Sequence, residues 1–232
     1  MTTSSAAENR TEDHAGHEHA GHHRAADPAG FFEPASWEER YAGDGSHWSG
    51  SPNPQLVAEA SALTPGTALD IGCGEGADVI WLARHGWTAT GLDFSANGLA
   101  RAARHAAAAG VGDRVSWQQA DARTFTADGP GVDLVTSHYL HPSAGRMPEV
   151  IERLARAVAP GGHLLVVGHA PTADHPAPTG AHERAMFRAE ELLDAVPEDF
   201  AVIVAEQRPR TSVREGRTIT MEDSVLLLRR EA

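Results

Sequence analysis

Cysteine is nearly absent. Cys73 is the single one in 232 residues, so no disulfide can form within the chain, and a reducing cytoplasmic setting is expected. Positive charge is scarce as well: 19 Lys and Arg against 32 Asp and Glu leave a formal net charge of -13. Without a Lys/Arg stripe nothing would drive counterion release from a phosphate backbone, which argues against nucleic acid as a partner. No apolar run approaches the roughly 20 residues that a bilayer span needs. The opening MTTSSAAENR also lacks a basic-then-apolar leader pattern, so no membrane contact is expected. What is plentiful is glycine (23), proline (14) and apolar residues (41%). That mixture suits one domain with a buried core and many tight connections.

Residues 1–30 are Ala, Gly, His, Ser, Thr and acids without apolar periodicity, a composition that cannot bury enough surface to order itself. Within it, HAGHEHAGHH carries His14, His17, His19, His22 and His23. Their spacing puts several imidazoles within reach of one metal ion, so the tail reads either as a metal-binding arm or as a solvated extension. Residues 31–60 differ in texture, with Trp37, Arg40, Tyr41 and Trp48 clustered before Asn53-Pro54. That pair is an N-cap and first-turn signal, opening a helix through VAEASAL.

From residue 61 to 232 strands and helices alternate. TALDI, TATGLD, RVSWQQ, VDLVTSHYL and HLLVVGH read as strands, and ADVIWLARHG and ANGLARAARHAAAAG as intervening helices. In GRMPEVIERLARAVAPGG the set Met147, Val150, Ile151, Leu154 and Val158 keeps a helical face, with Pro160-Gly161-Gly162 as the stop. AEELLDAV is expected to be a late helix, and FAVIVAEQ and ITMEDSVLLLRR close the chain as β stretches. Near-continuous apolar strands joined by helices imply an α/β, three-layer fold around a mostly parallel sheet.

Ligands of such sheets sit at the carboxyl ends of the strands, and this chain places polar groups there. Asp70 with Gly72, Gly74 and Gly76 follows the first strand, Asp93 and Phe94 the second, Asp121 and Ala122 the third; Ser137, His138, Tyr139 and His141 end the fourth. A nucleotide-triphosphate loop would need a lysine after the glycines, and none is there. Gly72, Gly74 and Ala77 do satisfy a dinucleotide pattern, with Asp93 at a suitable distance. Asp70 opposes that reading, because a carboxylate at the loop entrance is poorly placed beside a pyrophosphate. It suits an amino acid ammonium beside a sulfonium; Asp93 suits ribose hydroxyls and Asp121 an adenine amine. Together the three acids describe S-adenosylmethionine.

ALDIGCGEGADVIWLARHGWTATGLDFS resembles motifs I and II of the class I S-adenosylmethionine-dependent methyltransferases. QQADARTF resembles their adenine-contacting loop, and LARAVAPGGHLLVV their post-motif helix, turn and fifth strand. WEERYAGDGSHWSGSPNPQLV is similar to the segment before motif I in the thiopurine methyltransferase and TehB-type tellurite-resistance branch. The resemblance implies a seven-stranded Rossmann-like sheet whose last strand runs antiparallel. It also implies that Trp37, Arg40, Tyr41 and Trp48 close over the cofactor, and that the acceptor is a small molecule such as a thiol or a chalcogen species. The cofactor set expected on this basis adds Cys73, a packing residue of the loop, and Ser137 to the three acids and the glycines. His138 and His141 are the candidate bases for a protonated acceptor; Arg40 or Arg184 would orient an anionic one. His169, His175 and His182 are further candidates for the acceptor pocket. Two other readings stay open: a metal-handling protein using its histidine arm, and a cofactor-binding protein without catalysis.

Overall fold

The computed structural model describes residues 33–43, 45–140, 142, 146–171, 186–214 and 217–232. The histidine-rich tail, His141, His175, His182 and Arg184 lie outside them. Seven strands form one sheet in the order β3-β2-β1-β4-β5-β7-β6. They are β1 (Thr67–Ile71), β2 (Thr88–Asp93), β3 (Val115–Gln119), β4 (Val132–His138), β5 (Val158–His169), β6 (Phe200–Arg214) and β7 (Arg217–Arg230). The pairings from β3 through β5 are parallel, while β7 runs antiparallel to both β5 and β6. The expected doubly covered sheet with one reversed strand is the sheet observed.

Side-chain alternation splits the core between the two faces. Leu69, Ile71, Val135, Leu164 and Val166 pack with Val150, Ile151 and Leu154 of α5 (Met147–Arg156). Ala68, Leu134, Leu165 and Val167 turn the other way, toward Leu56 of α2 (Pro54–Ala60) and Val79 and Leu82 of α3 (Ala77–Arg84). Asn53 caps α2 through Gln55 N at 2.9 Å, with Pro54 in the first turn, as its dipeptide indicates. Ser95 caps the remaining long helix, α4 (Ala96–Ala108), through Gly98 N at 2.9 Å.

Several boundaries depart from the sequence expectation, each for a local reason. β4 stops at His138, two residues early, because Tyr139 adopts φ 54°, a left-handed conformation that leaves the extended region. α5 ends at Arg156, and Val158 belongs to β5, which runs through Pro160-Gly161-Gly162 instead of starting after it. The register there jumps from Val132↔Val158 to Leu134↔His163, a bulge where proline's missing N–H does no harm. A Cβ on Gly131 would lie 2.6 Å from Ala159 N, so the crossing demands glycine. The late helix expected for AEELLDAV is present as a 3-10 helix over Ala189–Ala195. The aromatic segment near the start contains a helix that no periodicity marked, α1 (Pro34–Ala42).

Candidate active site

The loop after β1 is held against the end of β2 by its own backbone. Gly72 N and Cys73 N donate to Leu92 O at 2.8 and 3.0 Å, and Gly74 N donates to Asp93 Oδ2 at 2.9 Å. Glycine is required at two positions for different reasons. Gly76, at φ 82°, is the N-cap of α3, and a Cβ there would strike Trp117 and Ala102 at 2.7 and 2.8 Å. A Cβ on Gly74 would meet Tyr41 Oη at 2.8 Å. With Gly76 at the cap, Asp70 is not capping α3. Asp93 also accepts from Ser95 N at 2.9 Å through Oδ1. Burial raises its pKa, against the pull of these two N–H groups. A carboxylate offers about four acceptor positions, so Asp93 keeps capacity beyond the loop it ties down.

Beneath the loop lies a buried group of acids with one imidazole. Asp70 Oδ1 accepts from Thr136 Oγ1 at 2.7 Å. His138 Nδ1 lies 2.8 Å from Asp78 Oδ2 and 3.8 Å from Asp70 Oδ1, and Asp78 Oδ1 accepts from Asn53 N at 2.6 Å. Burial pushes the Asp70 carboxyl up to about 7, with the neighbouring Asp78 adding to the rise and His138 and Thr136 opposing it. For His138 burial works against the charged form, yet Asp78 and Asp70 outweigh it and the net shift is upward. His138 is therefore not an open base at a strand end. Its side chain is 4% exposed, and it serves as the internal counter-charge of two carboxylates. The ligand atoms of Asp70, Asp78 and His138 all lie within 4.8 Å of one another, a spacing already bridged by the imidazole.

The aromatic segment lies over the loop, and two carboxylates outside the expected site set hold it there. Glu75, in the glycine loop, accepts from Ser46 Oγ at 2.8 Å, His47 N at 3.1 Å, Trp48 N at 3.0 Å and Arg101 Nη1 at 2.8 Å. Burial alone would raise its pKa, but these donors, Arg101 first, bring it below the ordinary glutamate value. Arg101 reaches back to the carbonyls of Gly43 and Gly45. Glu38 of α1 accepts from Ser95 Oγ and, at 3.3 Å, from Asn97 N. On this frame Trp37 stacks on Trp48 (centroids 5.6 Å apart), Trp48 Nε1 donates to Tyr41 Oη at 2.9 Å, and Arg40 lies over the Trp37 ring at 4.6 Å. Arg40 is thus part of the aromatic stack. An acid among loop glycines and an arginine on the buried face of an alanine-rich helix were the available signals for Glu75 and Arg101.

The remaining expected residues are distributed around the same edge. Asp121 accepts from Arg123 Nε and Nη2 at 3.0 and 2.7 Å, and Arg123 holds its carboxyl below the usual range. Ala122 is buried in the core, Phe94 O accepts from Gln119 Nε2 at 3.0 Å, and Ser137 Oγ donates to Ile71 O at 2.9 Å. Burial pushes the Cys73 thiol well up, which suits packing and opposes nucleophilic chemistry.

Residues 68–162 match the family described as "Methyltransferase domain". A phosphatidylethanolamine N-methyltransferase of Cereibacter sphaeroides is 30% identical over 167 residues, 72% of this chain and 80% of that protein. The chain belongs to the class I S-adenosylmethionine-dependent methyltransferases. The 2-heptyl-1-hydroxyquinolin-4(1H)-one methyltransferase of Mycobacteroides abscessus is 33% identical over 124 residues, 52% of this chain. The chain spans about half, 54%, of that relative's length. TehB of Haemophilus influenzae shares the fold, with a TM-score of 0.62 at 21% identity over 84% of this chain and 66% of that one. S-adenosylmethionine is the family's cofactor, and the donor set suits it. Burial and the neighbouring Asp78 and Asp93 make Asp70 costly to ionise beneath the loop, so a cationic ammonium and sulfonium are favoured there and a pyrophosphate is repelled. Among the described residues no helix is long and apolar enough to cross a membrane.

Proposed function

We propose that this methyltransferase transfers a methyl group from S-adenosylmethionine to a small molecule in the cytoplasm. The observation that carries the reading is Asp93, which fastens the glycine loop through Gly74 N and still has acceptor capacity for a pair of ribose hydroxyls. In this assignment the backbone of Gly72, Cys73 and Gly74 cradles the amino acid tail, with Asp70 as the acid nearest its ammonium. Asp121 and Ala122 border the adenine, Phe94 and Ser137 line the pocket, and Trp37, Tyr41 and Trp48 cover it, residues 31–60 acting as lid.

The bound cofactor supplies a methyl group already activated by its sulfonium. What the chain contributes is alignment and exclusion of water: the lid stack closes one side, and the loop fixes the donor against the carboxyl ends of β1 and β4. The negative chain charge supports a small acceptor over a nucleic acid. A thiol or chalcogen acceptor is supported by the likeness of residues 37–57 to the thiopurine and TehB-type enzymes. Calorimetry with S-adenosylhomocysteine and with NAD tests the cofactor half, and tighter NAD binding would overturn it. Asp93→Asn should weaken S-adenosylhomocysteine at least tenfold, about 1.4 kcal/mol; unchanged affinity would remove Asp93 from the site. A methyl-transfer screen across thiols, chalcogen oxyanions, phenols and amines tests the acceptor half. Binding without turnover of any acceptor would favour a non-catalytic cofactor-binding role.

A further inference from the structure

One polar cluster on the same edge of the sheet takes no part in the cofactor assignment. At the end of β5, His169 lies opposite Asp223 of β7 in the antiparallel register. Asp223 is fully buried, yet it is an acid, and donors surround it. Tyr139 Oη donates at 3.0 Å, Arg210 Nε donates at 3.1 Å, and His169 Nδ1 lies 3.8 Å from Oδ1. Burial would raise the pKa of Asp223, but His169, Arg210 and Tyr139 outweigh it and keep the carboxyl ionised. The Tyr139 ring stacks on the His169 ring with centroids 4.5 Å apart, and the Arg210 guanidinium covers the Tyr139 ring at 5.3 Å. The imidazole is therefore positioned from one face by an aromatic ring and from its Nδ1 side by a fixed carboxylate, while 35% of its side chain stays exposed.

Backbone strain marks the same spot. Among the described residues Tyr139 is the only non-glycine with positive φ, and strain of that kind collects at functional sites. The turn it makes also connects the cluster to the cofactor loop: the next residue, Leu140, lies where a Cβ on Gly72 would touch it at 3.4 Å. His138, by contrast, is closed off by Asp78 and Asp70. In general, an imidazole whose Nδ1–H faces a carboxylate takes up a further proton at Nε2. The 3.8 Å separation is longer than a hydrogen bond, as catalytic contacts often are before substrate binds.

We propose that His169 is the general base of this methyltransferase, that Asp223 and Tyr139 are its positioning residues, and that the acceptor is a hydroxyl or thiol arriving with its proton on. This rests on the methyl-transfer reading above. As the acceptor's oxygen or sulfur lone pair forms its bond to the methyl carbon, the acceptor proton passes to His169 Nε2. The methyl–sulfur bond breaks with its electron pair staying on sulfur, giving a neutral thioether and a methylated acceptor. The imidazolium formed beside Asp223 then returns its proton to water. Among the described residues Arg210 and Tyr139 also face the ring; burial pushes the Tyr139 phenol up, so it holds its own proton and does not compete for that one.

The test uses the full chain and two probes of one shape, 2-naphthol, protonated at pH 8, and 2-naphthalenethiol, largely anionic there. 2-heptyl-1-hydroxyquinolin-4(1H)-one serves as a third. His169→Ala should lower kcat for 2-naphthol by about 10²–10⁴ and for the thiolate far less, with partial rescue by added imidazole. His169→Gln separates base loss from cavity formation and should behave alike. Tyr139→Phe should shift the pH dependence of 2-naphthol turnover and leave S-adenosylhomocysteine affinity in place. Apart from turnover, carbethoxylation of His169 by diethylpyrocarbonate, read by peptide mass, should slow in the presence of 2-naphthol. Equal loss with both probes, no loss with 2-naphthol, or wild-type turnover of the thiolate alone would overturn the assignment. So would a wild type that binds S-adenosylhomocysteine and methylates none of the three. A wild type that fails to bind S-adenosylhomocysteine would instead overturn the methyl-transfer reading beneath it.

Discussion

Replacing Glu75 by glutamine removes one charge and almost no volume, and it should undock the lid. The carboxylate is 4% exposed and its partner Arg101 is 9% exposed. It accepts from Ser46, His47, Trp48 and Arg101. An amide offers one acceptor oxygen and turns an NH2 toward groups that are themselves donors. Charge-assisted hydrogen bonds contribute about 1.5–3 kcal/mol each, and stripping one partner from a buried ion pair costs about 3–5 kcal/mol. These overlap, because the Arg101 bond is in both. Arg101 also keeps the carbonyls of Gly43 and Gly45, which puts the net loss near the lower end, about 3 kcal/mol or roughly 150-fold in the docking equilibrium.

Urea titration followed by tryptophan fluorescence should then show an earlier transition for Glu75→Gln. With slopes of about 1–3 kcal/mol/M, the shift is about 1–3 M. Proteolysis between residues 43 and 53 should accelerate, and S-adenosylhomocysteine affinity should fall. The pH dependence has a defined sign. The folded pKa of Glu75 lies below its ordinary 4.5, so the stabilisation is present above that value and lost as pH falls through the folded one. Wild type and variant should therefore converge in acid. An unmoved midpoint and an unchanged cleavage rate at pH 7 would refute the stapling argument.

Gly76→Ala should cost about 2–5 kcal/mol, the sum of a left-handed alanine and a forced displacement of Trp117 and Ala102; a melting temperature equal to wild type would contradict the geometry. Asp70→Asn should stabilise the protein at pH 8 by about 1 kcal/mol or more while weakening S-adenosylhomocysteine. The folded carboxyl titrates near 7, above its ordinary 3.8, so its contribution is intact below the ordinary value and lost as pH rises through 7. Denaturation at pH 4 and pH 8 checks the sign, since the gap should close in acid.

Strand positions and the acids at their ends were legible because each depends on a short run of sequence. Asp70 and Asp93 stand at the carboxyl ends of β1 and β2 and Asp121 two residues past β3, and the alternation of Leu164, Val166 against Leu165, Val167 repeats the sheet's period of two. Partners supplied from far along the chain were not legible. Glu75 meets residues 46–48 and Arg101, His169 meets Asp223, and His138 meets Asp78; no local periodicity links such pairs. His138 and His169 illustrate the limit well. Both are histidines at the ends of neighbouring parallel strands, and from the sequence His138 is a candidate base and His169 only a candidate for the acceptor pocket. What separates them is which carboxylate folds beneath each ring and how exposed the side chain is, 4% for His138 and 35% for His169.

The two halves of the sheet edge thus differ in electrostatic character, and the difference suits the two tasks proposed for them. Around β1 and β2 the acids Asp70, Asp78 and Asp93 are crowded, with one imidazole between them. That arrangement is costly for the protein alone and is relieved by a cation, which is how a sulfonium cofactor can be recognised without a phosphate contact. Around β5 and β7 the single acid Asp223 is matched by Arg210, Tyr139 and His169, so the cluster is close to balanced and has no comparable demand for a cation. A balanced cluster is suited to moving a proton, because Arg210 and Tyr139 share Asp223 with the base and the imidazole is not the only group that matches the acid. His138, among the acids of β1, is closed in by Asp78 and Asp70, and those acids shift its pKa upward. One strand of the parallel sheet, β4, separates the acids of β1 from His169 on β5, which is the separation that the proposed cofactor site and the proposed base require.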